Sequence, residues 1–221
     1  MAEPVARKKR GRPTTPLLSR AKILTAALEL VDEGGLADFS VQVVADRLGV
    51  TGASIYHYFA DRDDLLRGLG LLVLREMRDL HSGGDRSAPP RPWQDWVRDF
   101  AGSLYTCAAR HPNVVPILLA RRTHGDVADL FEIAVGDLVR GGLPGHLALT
   151  ALDAVESLVL GWISFEQSRE PDWGFGAFDP EEFPMLAQVL GAQDSSAQRL
   201  KASMDALIIG FAAQAVAAPT R

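Results

Sequence analysis

The side chains with the most chemistry to offer lie close together between residues 40 and 62. Ser40, Gln42, Thr51, Ser54, Tyr56, His57, Tyr58 and Arg62 bring hydroxyls, a carboxamide, an imidazole and a guanidinium into one short stretch, SVQVVADRLGVTGASIYHYFADR. No nucleophile is paired with a base there, and no metal-ligand spacing occurs. The set consists of hydrogen-bond donors and acceptors with one permanent cation, which suits a polar, anionic surface carrying many distinguishable edges. Base edges and phosphates of duplex DNA present that surface. Gly52 and Ala53 interrupt the polar run, and their small size lets backbone come close to whatever is read.

These groups can act together only if the chain holds them on one rod. Ser40 can cap a helix on which Val41, Val44, Ala45 and Leu48 recur at three-and-four spacing. Gly49 ends that helix and Val50 plugs the turn. Thr51 offers a second cap, and the spacing predicts a helix from Gly52 to Tyr58 with only Ile55 pointing inward. Asp61 reads as the cap of a longer helix, Arg62 to about Leu80. Arg62 sits in its first turn, where a cation offsets no helix dipole, so an external anion is its expected partner. Upstream, a helix is expected from Ser19, with Ala21, Leu24, Ala27, Leu28 and Val31 on one face and Gly34-Gly35 at its end; Leu36 and Phe39 close the small core. Two short helices about a tight turn form a helix-turn-helix, whose second member enters a major groove.

The Ala45, Gly49 and Tyr56 spacing, followed by an aromatic run and a cation, resembles the N-terminal domain of the tetracycline-repressor (TetR) family of bacterial transcription regulators over about residues 19–72. The resemblance implies that Ala45 and Gly49 lie where two short helices touch. It also implies that Ser40, Gln42, Gly52, Ala53, Ser54, Tyr56, His57 and Tyr58 match positions that meet DNA, and that Arg62 stands for a lysine that contacts phosphate. Thr51, the expected cap, opens the same surface. Because Gly52 and Ala53 carry no donor, Gln42, Ser54 and His57 must supply more of the direct readout, together with DNA shape.

The 221-residue chain has a formal net charge of −5, but that charge is unevenly spread. Residues 1–22 hold seven lysines and arginines against Glu3, a net +6, which leaves −11 on the remainder. A basic front on an acidic body turns one end toward a polyanion. Residues 1–18 read as a disordered basic arm. Within it Arg10-Gly11-Arg12-Pro13 resembles the core of an AT-hook, in which Arg10 and Arg12 enter a narrow minor groove; the alternative is a solvated tail that adds nonspecific attraction. No apolar stretch follows these charges, so no signal peptide is expected. The lone Cys107 lies in an apolar helical pattern and reads as a packed thiol in a reducing cytoplasm.

The segment SGGDRSAPPRP, residues 82–92, breaks the helical pattern, which places domains at 19–80 and 93–217. Beyond it apolar residues recur helically at 93–109, 114–120, 127–139, 147–166, 183–190 and 198–216, with a loop at 170–182 whose Trp173, Phe175 and Phe178 should pack on something. The fold class is all-α: a three-helix helix-turn-helix domain joined by a long helix to a helical ligand-binding and dimerisation domain. The 147–163 helix is apolar on nearly every side. On the last helix Leu200, Met204, Leu207 and Phe211 share the rod with Ala206, Ile209, Gly210 and Ala213. Such helices are buried on two sides, and a homodimer with a four-helix interface accounts for that; a larger monomeric core is the alternative. Membrane insertion is not expected, because Asp153 and Glu156 interrupt the first helix and Lys201 and Asp205 flank the second.

Trp93-Gln94-Asp95-Trp96, Arg110-His111, the 119–122 segment and the 161–167 region resemble the sensing domain of the tetracycline-responsive branch. That branch holds a magnesium-bound drug through an imidazole where this chain has Leu118, which has no lone pair for a metal, so no metal site and no cofactor are expected. Phe100 replaces an asparagine drug contact, Leu104 a phenylalanine, and Phe165, beside Glu166, a carboxylate. The implied pocket of Phe100, Leu104, Leu118, Trp162 and Phe165, with Arg122 as polar anchor, suits an apolar or weakly anionic small-molecule effector. The chain contains no Gly-x-Ser-x-Gly, His-Glu-x-x-His or Gly-Lys-Ser/Thr motif, and His81, His111, His124 and His146 are scattered. The expectation is a ligand-responsive repressor of a palindromic double-stranded operator. The alternatives are an effector-independent activator or architectural protein, and a small helical enzyme.

Overall fold

The computed structural model describes residues 18–81, 90–120, 127–167, 179–191 and 195–217. Every element among these residues is helical. The reading head comprises α1 (Arg20–Gly34), α2 (Val41–Leu48) and α3 (Gly52–Tyr56), and α4 (Arg62–His81) leads out of it. The body follows with α5 (Trp93–Arg110), a 3₁₀ turn at Pro112–Val114, α6 (Val115–Leu119), α7 (Ala128–Arg140), α8 (Gly145–Gln167), α9 (Pro184–Gly191) and α10 (Ser196–Ala217).

The caps of the head form as their residue types require. Ser19 accepts a hydrogen bond from the Lys22 amide, Ser40 from that of Val43 and Thr51 from that of Ser54, so each helix has a satisfied start. Gly49 closes α2 at φ 67°, a left-handed conformation that a Cβ would strain. The inward face of α1 differs from the expected one: Ile23, Ala26, Ala27 and Val31 are buried, Leu24 and Leu28 are half-buried, and Ala21 is exposed. This helix packs against α2, α4 and the 3₁₀ turn together, which turns its buried stripe away from the face a single neighbour would select.

One continuous core runs from head to body. Leu65, Leu69, Val73 and Met77 of α4 belong to the same buried cluster as Ile23, Val44 and Ile55 on one side and Trp96, Phe100 and Leu104 on the other. At about 1.5–3 kcal/mol for each fully buried aliphatic side chain, this shared apolar column is the main tie between the halves. Gly68 lets α4 lie close against the head: a methyl there would stand 2.8 Å from the Leu24 Cδ2 and 3.2 Å from the Phe59 ring.

In the body, α8 packs against α5, α6, α7 and α10, burying Leu147, Ala151, Leu152, Val155, Val159 and Ile163. Its other side, the i+4 stripe Leu149, Asp153, Ser157, Gly161 and Phe165, is exposed. Helix α10 divides likewise, with Met204, Ile208 and Phe211 inward and Ala206, Ile209, Gly210 and Ala213 outward. Leu200 and Leu207 are half-buried. Helix α8 is long and apolar enough to cross a membrane, and it packs on four other helices of the body.

Candidate nucleic-acid interface and effector site

Helix α3 is held from below and open above. Ile55 is fully buried and pins it, while Tyr56 is 54% exposed and Ala53 and His57 face out with it. The helix is shorter than the sequence suggests: it ends at Tyr56, with His57 as its cap and Tyr58 in a turn. The reason is tertiary. The Tyr58 hydroxyl donates to the Leu18 carbonyl at 3.0 Å, and the Tyr58 carbonyl accepts from the Arg20 guanidinium at 2.6 Å. The same Arg20 lies 4.1 Å over the Phe59 ring and 3.5 Å from Asp64, so one side chain fastens the start of α1 to the end of α3 and the start of α4. Tyr58 thus serves the scaffold as well as the surface.

The expected readers fall into two groups. Ser40, Gln42, Thr51, Gly52, Ala53, Ser54, Tyr56 and His57 are gathered on α2 and α3 and their caps, and three of the hydroxyls have local partners: Ser40 and Thr51 cap helices, and the Ser54 hydroxyl lies 3.0 Å from that of Thr51. Gln42 donates its amide to Asp46 at 2.7 Å. Arg62 departs from a simple phosphate grip. Its Nε donates to the Phe39 carbonyl at 3.2 Å and one terminal nitrogen to that of Leu36 at 3.4 Å, so the guanidinium closes the α1–α2 loop while its exposed edge still faces solvent. Arg47, by contrast, is committed to Glu33 at 2.6 Å and raises α1–α2 cohesion; this pairing holds the Glu33 carboxyl below its usual range. Arg10 and Arg12 lie outside the described residues.

Of the expected effector contacts, Phe100, Leu104 and Leu118 are buried in the common core. Phe100 stacks on Trp96 with centroids 5.0 Å apart, and His81 meets both rings edge-on. Burial holds the His81 ring below its usual protonation range, with Arg91 acting in the same direction, and its Nδ1 is buried without a hydrogen-bond partner. Phe165 does not share this environment: it is 45% exposed on the outer stripe of α8, because it follows Gly161 by one helical repeat. Arg122 lies outside the described residues. Glu166 and Trp162 form a separate polar knot, in which the Trp162 Nε1 donates to Glu166 at 3.2 Å and lies 3.0 Å from the Ser196 hydroxyl. Tyr105 donates to the same carboxylate at 3.4 Å, and Ser196 donates to it as well. Tyr105 and Ser196 carry no sequence pattern that marks them, since each depends on a helix distant along the chain.

A polar junction joins head and body. His111, where α5 ends, places Nδ1 2.8 Å from Asp32 of α1 and Nε2 3.2 Å from Glu76 of α4. Arg110 pairs with Glu76, and Asn113 donates to the Val31 and Asp32 carbonyls at the end of α1. Cys107 is buried, with its thiol 3.4 Å from the Val73 carbonyl, and burial pushes it up to about 11, which keeps it protonated and inert. Among the described residues no three His, Cys, Asp or Glu side chains gather as a metal site.

Comparison with known proteins bears on this arrangement directly. Residues 23–69, which take in most of α1, all of α2 and α3 and the first turns of α4, match the family model "Bacterial regulatory proteins, tetR family". The chain carries the N-terminal domain of the TetR family. Along most of its length it is similar to the class D tetracycline repressor protein of Escherichia coli, 25% identical over 204 residues that cover 90% of this chain and 92% of that one. A further relative, an HTH-type transcriptional regulator of Saccharopolyspora erythraea, is 30% identical over 69% of this chain and 63% of its own length. Among solved structures, apo ActR of Streptomyces coelicolor aligns with a TM-score of 0.78 at 25% identity, covering 93% of this chain and 100% of that one. ActR in complex with (S)-DNPA aligns at 0.72 and 25% identity, over 91% and 100%. The chain is a DNA-binding transcription regulator rather than an enzyme.

Proposed function

We propose that the protein represses transcription as a homodimer that is released from a palindromic operator by a small apolar organic molecule. One observation carries the DNA half of this reading: α3 is pinned through a fully buried Ile55 while Tyr56, 54% exposed, and His57 stand out from it. Aromatic rings left in water on a rod that is capped, braced and otherwise well packed have a cost in isolation and a use against a groove. Residues 19–80 form the reading half and residues 93–217 the sensing half, with α4 common to both.

Dimerisation is supported by the exposed stripes of α8 and α10. Leu149 at 57%, Ile209 at 69% and the small residues Gly161, Ala206, Gly210 and Ala213 form faces that allow close helix approach. Two such pairs make a four-helix interface and carry two heads about 34–36 Å apart, the spacing of successive major grooves. The effector reading rests on the apolar character of Phe100, Leu104 and Leu118 and on the similarity to ActR, a relative with a ligand-bound structure. An effector that fits the body better when α4 is displaced shifts the equilibrium away from the DNA-competent spacing. The role of α4 follows from its place in the core: it packs on α1 of the head and on α5 and α6 of the body, so its displacement moves the heads.

Selection of bound sequences from a random duplex pool tests the first part, with enrichment of an inverted repeat as the expected result. Tyr56→Ala should then weaken binding to the selected site by about tenfold or more while leaving thermal stability unchanged, since the ring is mostly in water. Failure of the wild-type protein to enrich any sequence at low salt overturns the reading.

A further inference from the structure

We propose that Asp46 is a specificity-determining residue that fixes which end of the Gln42 carboxamide faces the base edges, so that the protein reads an exocyclic amino group at that position. The inference rests on the docking of α3 in the major groove set out above, with Gln42 of α2 on the same DNA-facing surface, and goes beyond it to a rule for one base.

The two residues sit four apart on α2, and the Gln42 Nε2 lies 2.7 Å from the Asp46 Oδ1. A carboxylate only accepts hydrogen bonds, so the amide nitrogen must turn toward it and the amide oxygen must turn away. A free glutamine has no such restriction; it can present a donor, an acceptor or both, and its bidentate pairing with adenine needs both. Here one of the two donors is held by Asp46.

The oxygen lies over the start of α3. A methyl at Gly52, the first residue of that helix, would stand 3.1 Å from the Gln42 Oε1. The missing side chain at Gly52 leaves room for the carboxamide oxygen between the start of α2 and the start of the reading helix. No described residue donates to Oε1. Gln42 and Asp46 are both exposed on the outer side of the head.

An oriented acceptor at that place selects a base that offers a donor in the major groove, namely the N6 amine of adenine or the N4 amine of cytosine. It rejects guanine and thymine, which present O6 and O4 there. The Asp46 carboxylate behind it reinforces the choice, since it repels the same oxygens. An ordinary i,i+4 pair that merely supports the helix would leave base preference unchanged and alter stability by a few tenths of a kcal/mol.

Random-pool selection followed by quantitative binding, carried out on the full chain, separates these possibilities. Gln42→Ala should relax one symmetric pair of operator positions, at which the wild type enriches adenine or cytosine about five- to tenfold over guanine and thymine. Asp46→Ala and the near-isosteric Asp46→Asn should both admit guanine or thymine at that same pair and leave the other positions unaltered. Gly52→Ala, which displaces the oxygen, should blur the same pair. Three results would overturn the proposal alone: a wild-type preference for guanine or thymine at the pair, a Gln42→Ala profile that relaxes no position, or Asp46 variants whose preference matches the wild type. Wild-type protein that enriches no sequence would overturn the docking itself and this rule with it.

Discussion

The His111 junction sets a measurable stake on how tightly the head is tied to the body. Its side chain is 15% exposed, Asp32 is 28% exposed and Glu76 is 31% exposed, so both contacts are screened only in part. Hydrogen bonds to charged groups contribute about 1.5–3 kcal/mol each, and partial exposure brings the pair toward the lower end. His111→Ala would leave Asp32 worse off than other surface carboxylates, because its Oδ1 is already buried without a partner and Oδ2 would lose the imidazole. A destabilisation of about 2 kcal/mol follows, and with it a fall of about 4–8 °C in Tm for a chain of this size. The loss should be coupled. In a double-mutant cycle with Asp32→Ala the interaction term should be about 1 kcal/mol, because either single change already removes the shared contact. Urea unfolding at neutral pH gives the cycle, and hydrogen exchange reports where it acts: amides of α1 should exchange faster in His111→Ala, while those in the middle of α8 should not. Additive single changes, or exchange that rises equally throughout the body, would refute the assignment of this residue as the clasp between the halves.

Gly68→Ala should lower stability by about 1 kcal/mol or more despite the better helix propensity of alanine, because the new methyl meets Leu24 at 2.8 Å beside the buried Phe59 ring; calorimetry showing a higher Tm would contradict the packing described. The His81 ring is held below its usual range by burial, so in the folded state it stays neutral as pH falls through about 6.5, whereas the unfolded chain takes up a proton there. Stability should consequently decline from about pH 6.5 downward until the folded ring protonates, and His81→Phe should remove that part of the decline in Tm measured against pH. Ile209→Glu should halve the mass seen in sedimentation equilibrium, since the side chain is 69% exposed on the proposed dimer face; an unchanged mass would exclude α10 from the interface.

Much of this protein was legible along the chain because its determinants are local. The Ser19, Ser40 and Thr51 caps, the Gly49 stop and the three-and-four apolar spacing of α2 act over one or two helical turns, and each does its work in the structure as read. On α10 the grouping of Met204 and Phe211 apart from Ala206, Ile209, Gly210 and Ala213 was readable as well, whereas α8 is apolar on nearly every side, so its periodicity marked no single inward face.

What depended on the tertiary structure involved partners far apart in sequence. The early end of α3 depends on Arg20 and Leu18, and the commitment of Arg62 on carbonyls of the α1–α2 loop. The exposure of Phe165 follows from how α8 is rotated against α5 and α6, and the burial of Ile23 and Ala26 in place of Ala21 follows from three helices pressing on α1 at once. The joining of Asp32, Glu76 and His111 spans three helices. Residue type and spacing specify which helices form and which faces are apolar; the azimuth at which each helix settles against several neighbours is a collective result of packing, and it alone determined which polar side chains meet one another and which are left to meet DNA.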